Sequence, residues 1–240
     1  LGADDAGIMD ILEPVTIGQN IKEVWPIDDV VLEIDNKSLT NRPDLWGHYG
    51  LAREFAAMFD RPLKKMPLAD LAAYENLPEV KINIETENCF RYSSVCVEEV
   101  NEKKSPREMA IRLNYAGMRD INLLADLTNY VMLDLGLPMH AFDNKVVKGI
   151  NVLASDGETV MTTLEGEEHK LPKDAVVISD KNKVPVAIAG IKGGLKSGIS
   201  EETNSVLFEA AVFDCQAIRK TARGIGLITD SSQPSWQPWP

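Results

Sequence analysis

Asp143 divides this chain into two textures. Before it, apolar residues recur at helical spacing; after it, the chain breaks into short β-rich runs separated by tight turns. Helices and strands in separate runs argue for an α+β fold, with mixed or antiparallel sheets and helices packed alongside, rather than a doubly wound parallel sheet. The short runs fall at 150–154, 160–164, 175–179, 184–189 and 205–211, and a Glu165-Gly166 turn follows the second. A last helix is predicted after Asp214 as N-cap, ending at Gly224 or Gly226. Upstream, a helix from near Asn122 carries Leu123, Leu127, Val131 and Leu135 on one face and stops at Gly136 before Pro138. The helix before it opens on Ser105-Pro106-Arg107-Glu108, which reads as a capping box with proline in the first turn, and closes at Gly117. Strands are predicted over 80–85 and 92–100.

The first block has a strand candidate at 30–34, a turn-rich stretch from Asp35 to Asp44, and a helix from near Pro43 with Leu51, Phe55 and Met58 on one face. Residues 61–78 contain three prolines and no sustained period. These features divide the chain into a small, mostly helical module over 1–62, a linker over 63–78, a main domain over 79–232 and an irregular tail over 233–240. No internal repeat or low-complexity tract occurs.

Charge narrows the possible partners. With 25 Lys plus Arg against 37 Asp plus Glu, the 240-residue chain has a net charge of -12, so it cannot follow a nucleic-acid backbone over a long footprint. Any such contact is expected to be small and local. No apolar run approaches the roughly 18 residues that span a bilayer, and the first residues lack the features of a signal peptide, so a soluble, cytoplasmic protein with no membrane partner is expected. Cys89, Cys96 and Cys215 have neither disulfide nor zinc-ribbon spacing and read as small buried hydrophobes.

Four features could carry chemistry. The run Gly190-Ile191-Lys192-Gly193-Gly194-Leu195-Lys196-Ser197 approaches a phosphate-binding loop but puts Leu195 where a glycine is required, and no helix follows. It is either a tight turn between strands or, at Ala189-Gly190, a place where a substrate lies against bare backbone. His140 follows a capped helix and a proline, in a loop where Asp143 could orient its ring; it is a binding or catalytic group, or a satisfied structural histidine. Thr128 and Asn129 interrupt an apolar helix, bonding to backbone or lining a pocket. Glu209 is a lone carboxylate in Val206-Leu207-Phe208-Glu209-Ala210-Ala211-Val212-Phe213. It is either buried and paired, or on an edge strand facing solvent.

Taken together, these stretches resemble one family. Asp126 through Asp143, with Thr128-Asn129-Tyr130 and Gly136-Leu137-Pro138-Met139-His140-Ala141-Phe142-Asp143, is similar to the editing domain of bacterial phenylalanyl-tRNA synthetase beta chains. So are Ala187 through Gly194, Val206 through Phe213, the Ile218-Arg219-Lys220-Thr221-Ala222-Arg223 run and Thr229-Asp230-Ser231-Ser232, while Leu39-Thr40-Asn41-Arg42-Pro43-Asp44-Leu45 resembles the preceding module. The sequence after Ser232 departs from the family, and Asp120 stands where the family more often has proline.

The resemblance implies a segment that hydrolyses tyrosine wrongly attached to tRNA(Phe), while aminoacylation occurs in an alpha subunit, within an alpha2beta2 assembly. It implies that His140, Thr128 and Asn129 hold the terminal adenosine and the attacking water, that Gly190, with Ala189 beside it, and Ser231 belong to the substrate pocket, and that Glu209 accepts the tyrosyl hydroxyl. No metal and no cofactor are implied in this segment; ATP and Mg²⁺ belong to the full synthetase. The partner is the aminoacylated 3′ end of the tRNA, other modules holding its body. A non-catalytic module of the synthetase and a free-standing relative of the editing domain are the competing readings.

Overall fold

The structure is a computed structural model that describes residues 11, 13–39 and 41–227. The chain is α+β, with the expected segregation of elements. Helix α1 (Ile21–Val24) is a single turn and α2 (His48–Met58) is the first sustained helix. Strands β1 (Ile82–Ile84) and β2 (Cys89–Val97) lead to helices α3 (Arg107–Tyr115) and α4 (Leu123–Leu135). After them come β3 (His140–Asp143), the short α5 (Asn144–Val147) and β4 (Ile150–Ala154). The hairpin β5 (Val160–Thr162) and β6 (Glu168–Lys170) precedes β7 (Val176–Ser179), β8 (Pro185–Ile188) and β9 (Lys192–Gly193). Strand β10 (Val206–Phe213) and helix α6 (Cys215–Ile225) complete the described chain.

The ten strands among the described residues form two main sheets and the isolated hairpin. The larger sheet has the order β1-β4-β7-β8-β9, parallel only between β1 and β4. The smaller has β10 in the middle, antiparallel to β2 on one side and β3 on the other. The inward faces of the two sheets share one core: Tyr92, Phe142 and Leu207 from the small sheet meet Val152, Val176, Ile178 and Ile188 from the large one, with Ile218 and Ala222 of α6. Leu124 of α4 covers the outer face of the small sheet, against Ala141 and Val206. Strand β10 is therefore covered on both faces, which is why its sequence reads as a continuous apolar run.

Local signals decide where the helices stop and start. Asn122 accepts from the Ala125 amide and Asp214 from the Ala217 amide, and Gly136 and Gly226 end their helices in the left-handed region. The box predicted at Ser105 does not form: Pro106 is the N-cap, and the Ser105 hydroxyl instead donates to the buried Asp126 carboxylate, which also accepts from the Ile121 amide. The helix end offers only N–H donors, whereas a buried carboxylate is a strong acceptor, so the hydroxyl donates there.

The strand candidate at 30–34 is irregular and open to solvent, with Val30 78% exposed. Its β-branched residues favour extension, but no described strand pairs with them. The helix predicted from near Pro43 begins only at His48, after a separate 3-10 turn at Pro43–Trp46, and Phe55 and Met58 of its apolar stripe are exposed. Among the described residues no helix is long and apolar enough to cross a membrane.

The first block is fastened to helices α3 and α4. Trp25 is 2% exposed, beneath the Arg107 guanidinium at 4.6 Å from its ring centre. The Tyr115 hydroxyl donates to the Ile27 carbonyl at 2.6 Å, and His48 Nδ1 lies 2.9 Å from the Leu133 carbonyl. Asp44 receives both Arg42 and Arg53, and hydrogen bonding from Arg42 first, then Arg53, lowers its pKa to about 2. At Gly47 backbone meets backbone: a Cβ there would stand 2.3 Å from the Gly136 nitrogen and 2.6 Å from the Leu135 carbonyl carbon. Main chain cannot yield as a flexible side chain can. Gly47→Ala is expected to cost at least about 1–3 kcal/mol, read as a lower midpoint of thermal unfolding together with faster proteolysis of the first block.

Candidate functional site

The site is organised by the middle strand of the small sheet. Along β10, Leu207, Glu209, Ala211 and Phe213 point to the inward face, because side chains alternate along a strand. Glu209 is 6% exposed and stands in register with His140 of β3 on one side and Ser94 of β2 on the other. The edge-strand reading of Glu209 is thereby excluded. Tyr92 lies diagonally across from it, paired with Ala211 and 8% exposed.

His140 is a strand residue, not a loop residue as predicted, and Asp143 does not orient it. Asp143 accepts from Thr203 Oγ1 and caps α5. Instead the His140 ring meets Phe142 edge-on, at 4.5 Å between centres. Gly193 closes its other side, for a Cβ there would come within 2.7 Å of His140 Cε1.

Between these strands and the β8–β9 hairpin lies a cleft of about 130 Å³. Glu209, Ala211 and Phe213 form one wall, Leu137 to His140 a second, and Ile188 with Gly190 to Gly193 a third; Ile218 of α6 also contributes. Gly190 occupies the left-handed region, in the turn closed by the Ile191 amide and the Ile188 carbonyl. The glycine run is thus a tight turn and a cleft wall together. Lys192 of β9 is held by Glu165, leaving the lining close to neutral. A cavity of about 150 Å³ holds one benzene ring, so this cleft matches a single aromatic side chain in scale.

The lining is mostly apolar, but it contains polar atoms without partners. Glu209 Oε2 and His140 Nε2 are both buried and neither has a hydrogen-bond partner among the described residues. Burial raises the Glu209 pKa to about 7 and depresses that of His140 to about 4. At neutral pH the imidazole is uncharged, able to accept a hydrogen bond from water or ligand, and the carboxyl is poised between its two forms. Such a cleft can hold an aromatic ring, recognise a hydroxyl at its end, and place water beside it. No group of three or more His, Cys, Asp or Glu side chains among the described residues is arranged to hold a metal ion.

Of the residues singled out in the sequence, the structure brings His140, Gly190 and Glu209 together. Ala189 is fully buried behind the turn. Thr128 donates to the Ala125 carbonyl within α4, and neither it nor Asn129 lines the cleft. Ser231 lies outside the described residues. Tyr92 and Gly193 are additions: Gly193 was in the glycine run, whereas only the pairing register shows that Tyr92 neighbours Glu209.

The described fold is an α+β domain with a cleft beside its small sheet and a buried carboxylate on one wall. The chain belongs to the B3/4 domain family, whose model matches residues 88–235. It is 39% identical over 236 residues to the phenylalanine–tRNA ligase beta subunit of Solibacter usitatus, covering 97% of this chain and 30% of that subunit. For the beta subunit of Aquifex aeolicus the identity is 40% over 227 residues, covering 94% and 28%. The chain thus spans about 30% of the length of these relatives. An N-terminal fragment of the phenylalanyl-tRNA synthetase beta subunit from Pyrococcus horikoshii aligns with a TM-score of 0.45 at 17% identity, over 87% of this chain and 68% of that one. That likeness is too loose to bear on the site.

The two buried groups act in opposite directions on stability. Glu209 binds its proton more tightly when folded, so it costs stability as pH rises from about 4.5 to about 7; His140 binds its proton less tightly, so it costs stability as pH falls from about 6.5 to about 4. Between about pH 4.5 and 6.5 the two slopes cancel. Glu209→Gln is expected to unmask the histidine, stability rising by about 1.4 kcal/mol per pH unit across that window, and His140→Gln to show the reverse slope. Denaturant unfolding at several pH values measures both.

Proposed function

We propose that this chain is the part of a phenylalanine–tRNA ligase beta subunit that removes tyrosine from mischarged tRNA(Phe) by hydrolysing the aminoacyl ester. The observation that carries the reading is Glu209 Oε2: a buried acceptor without a partner, on the wall of a cleft scaled to one aromatic ring. Tyrosine differs from phenylalanine by a hydroxyl, and a site that must reject only the hydroxylated analogue sorts by that group. Tyrosine donates to Glu209; phenylalanine leaves the acceptor desolvated, at a cost of about 1–3 kcal/mol.

The ester itself is already activated, so placing water against its carbonyl supplies much of the required acceleration. His140, uncharged and with Nε2 open to a donor, is assigned to that water. Thr128 and Asn129, outside the ring-sized cleft, are assigned to the terminal adenosine, which must remain outside it. Ser231 is retained as a further pocket residue. The step uses water alone, and ATP and Mg²⁺ are assigned to aminoacylation in the complete synthetase, with its alpha subunit. A chain with a net charge of -12 suits a contact confined to the aminoacylated 3′ end, the tRNA body being held elsewhere. A blocked cleft or a solvent-exposed Glu209 would have favoured a purely structural module, and neither occurs.

In the assembled enzyme, Glu209→Ala is expected to slow deacylation of tyrosyl-tRNA(Phe) by about 10- to 100-fold while leaving the slow hydrolysis of phenylalanyl-tRNA(Phe) unchanged. His140→Ala is expected to slow both. Single-turnover release of labelled amino acid makes the comparison, and undiminished tyrosyl release in both variants rules the proposal out.

A further inference from the structure

A third buried polar atom faces the cleft carboxylate. The Tyr92 hydroxyl is buried and, like Glu209 Oε2, has no hydrogen-bond partner among the described residues. The two side chains lie on the same inward face of adjacent strands, two positions apart in the register. Two unpartnered buried polar groups side by side, one a donor and one an acceptor, are a costly arrangement unless a small rotation joins them. They already influence one another: the Tyr92 hydroxyl lowers the Glu209 pKa, and the Glu209 charge, after burial itself, raises that of Tyr92.

We propose that Tyr92 is a positioning residue for Glu209, donating its phenolic hydroxyl to the carboxylate so that a ligand hydroxyl entering the cleft meets an oriented acceptor. The inference rests on the reading of Glu209 as the selecting group and adds a resident phenol to it. Tyr92 does not line the cleft, so it acts through Glu209 and not on the ligand. A carboxylate has two oxygens and about four acceptor sites, so one oxygen can take the Tyr92 hydroxyl while the other takes the ligand's. The donor also favours the ionised form against the burial that opposes it. The titratable neighbours on the packed elements are Cys89 on β2, whose thiol burial pushes up to about 11, and His140 on β3, which is neutral above about pH 4. Lys192 on β9 is held by Glu165. Tyr92 is thus the neighbour suited to donate to Glu209 near neutral pH.

The test is Tyr92→Phe in the full 240-residue chain and in the assembled synthetase, with two readouts. The first is the pH dependence of unfolding, taken as the difference between each chain and its Glu209→Gln counterpart, which isolates the Glu209 titration. Loss of the donor is expected to move the midpoint of that titration upward by about one pH unit; a midpoint unchanged from the parent overturns the inference. The second is the preference for tyrosyl over phenylalanyl ester hydrolysis at pH 7, expected to fall about tenfold, with the loss partly recovered at higher pH. A purely packing role for Tyr92 would not produce that recovery. If the midpoint moves but neither chain hydrolyses tyrosyl ester, it is the editing reading that fails, while the Tyr92–Glu209 link stands. Should Tyr92→Phe not fold, 3-fluorotyrosine at position 92 keeps the shape with a more acidic hydroxyl, and the midpoint is expected to move downward; no movement overturns the inference.

Discussion

The structure turns on placing a carboxyl group in the middle of a strand that is buried on both faces. Strand β10 separates the inter-sheet core from the helical layer, and every other residue on its inward side is apolar. A charge there is opposed by several kcal/mol unless something compensates it. The fold compensates only in part: the carboxyl is open to a cleft, its basicity is raised until protonation is readily available, and a tyrosine hydroxyl lies nearby. What remains uncompensated is the capacity to bind a donor.

His140 carries the complementary deficit. It is an imidazole pressed against Phe142 and Gly193 and kept uncharged by burial. Together the two groups form a cross-strand pair in which burial favours the neutral form of each, the carboxyl retaining its proton and the imidazole not taking one, so no ion pair forms between them. The cleft is therefore electrically quiet while remaining rich in hydrogen-bonding capacity. That combination suits an uncharged aromatic ring with a polar tip.

Much of this was legible in the sequence. The segregation of helical and strand periods gave the fold class, and the caps at Asn122, Asp214, Gly136 and Gly226 were local events that local residues decide. Glu209 stood out because one polar residue in an apolar run has few explanations. What failed depended on tertiary context: Ser105 was drawn to Asp126, residues 30–34 had no strand to pair with among the described residues, and Asp143 faced away from His140 once both lay on one strand. Tyr92 was invisible for a different reason. Its importance lies in a pairing register across more than a hundred residues of sequence, which no spacing in the chain encodes.

The backbone contact between Gly47 and Gly136 also bears on the cleft. Gly136 ends α4, and three residues, Leu137, Pro138 and Met139, carry the chain from it to His140 along the cleft wall. One of those three is a proline, which removes a degree of freedom from an already short span. The wall is thus a short span held at one end by the small sheet and at the other, through Gly136, by the first block. A substitution that loosens the upstream grip on the end of α4 therefore acts at a point separated from His140 by three residues, without touching the cleft.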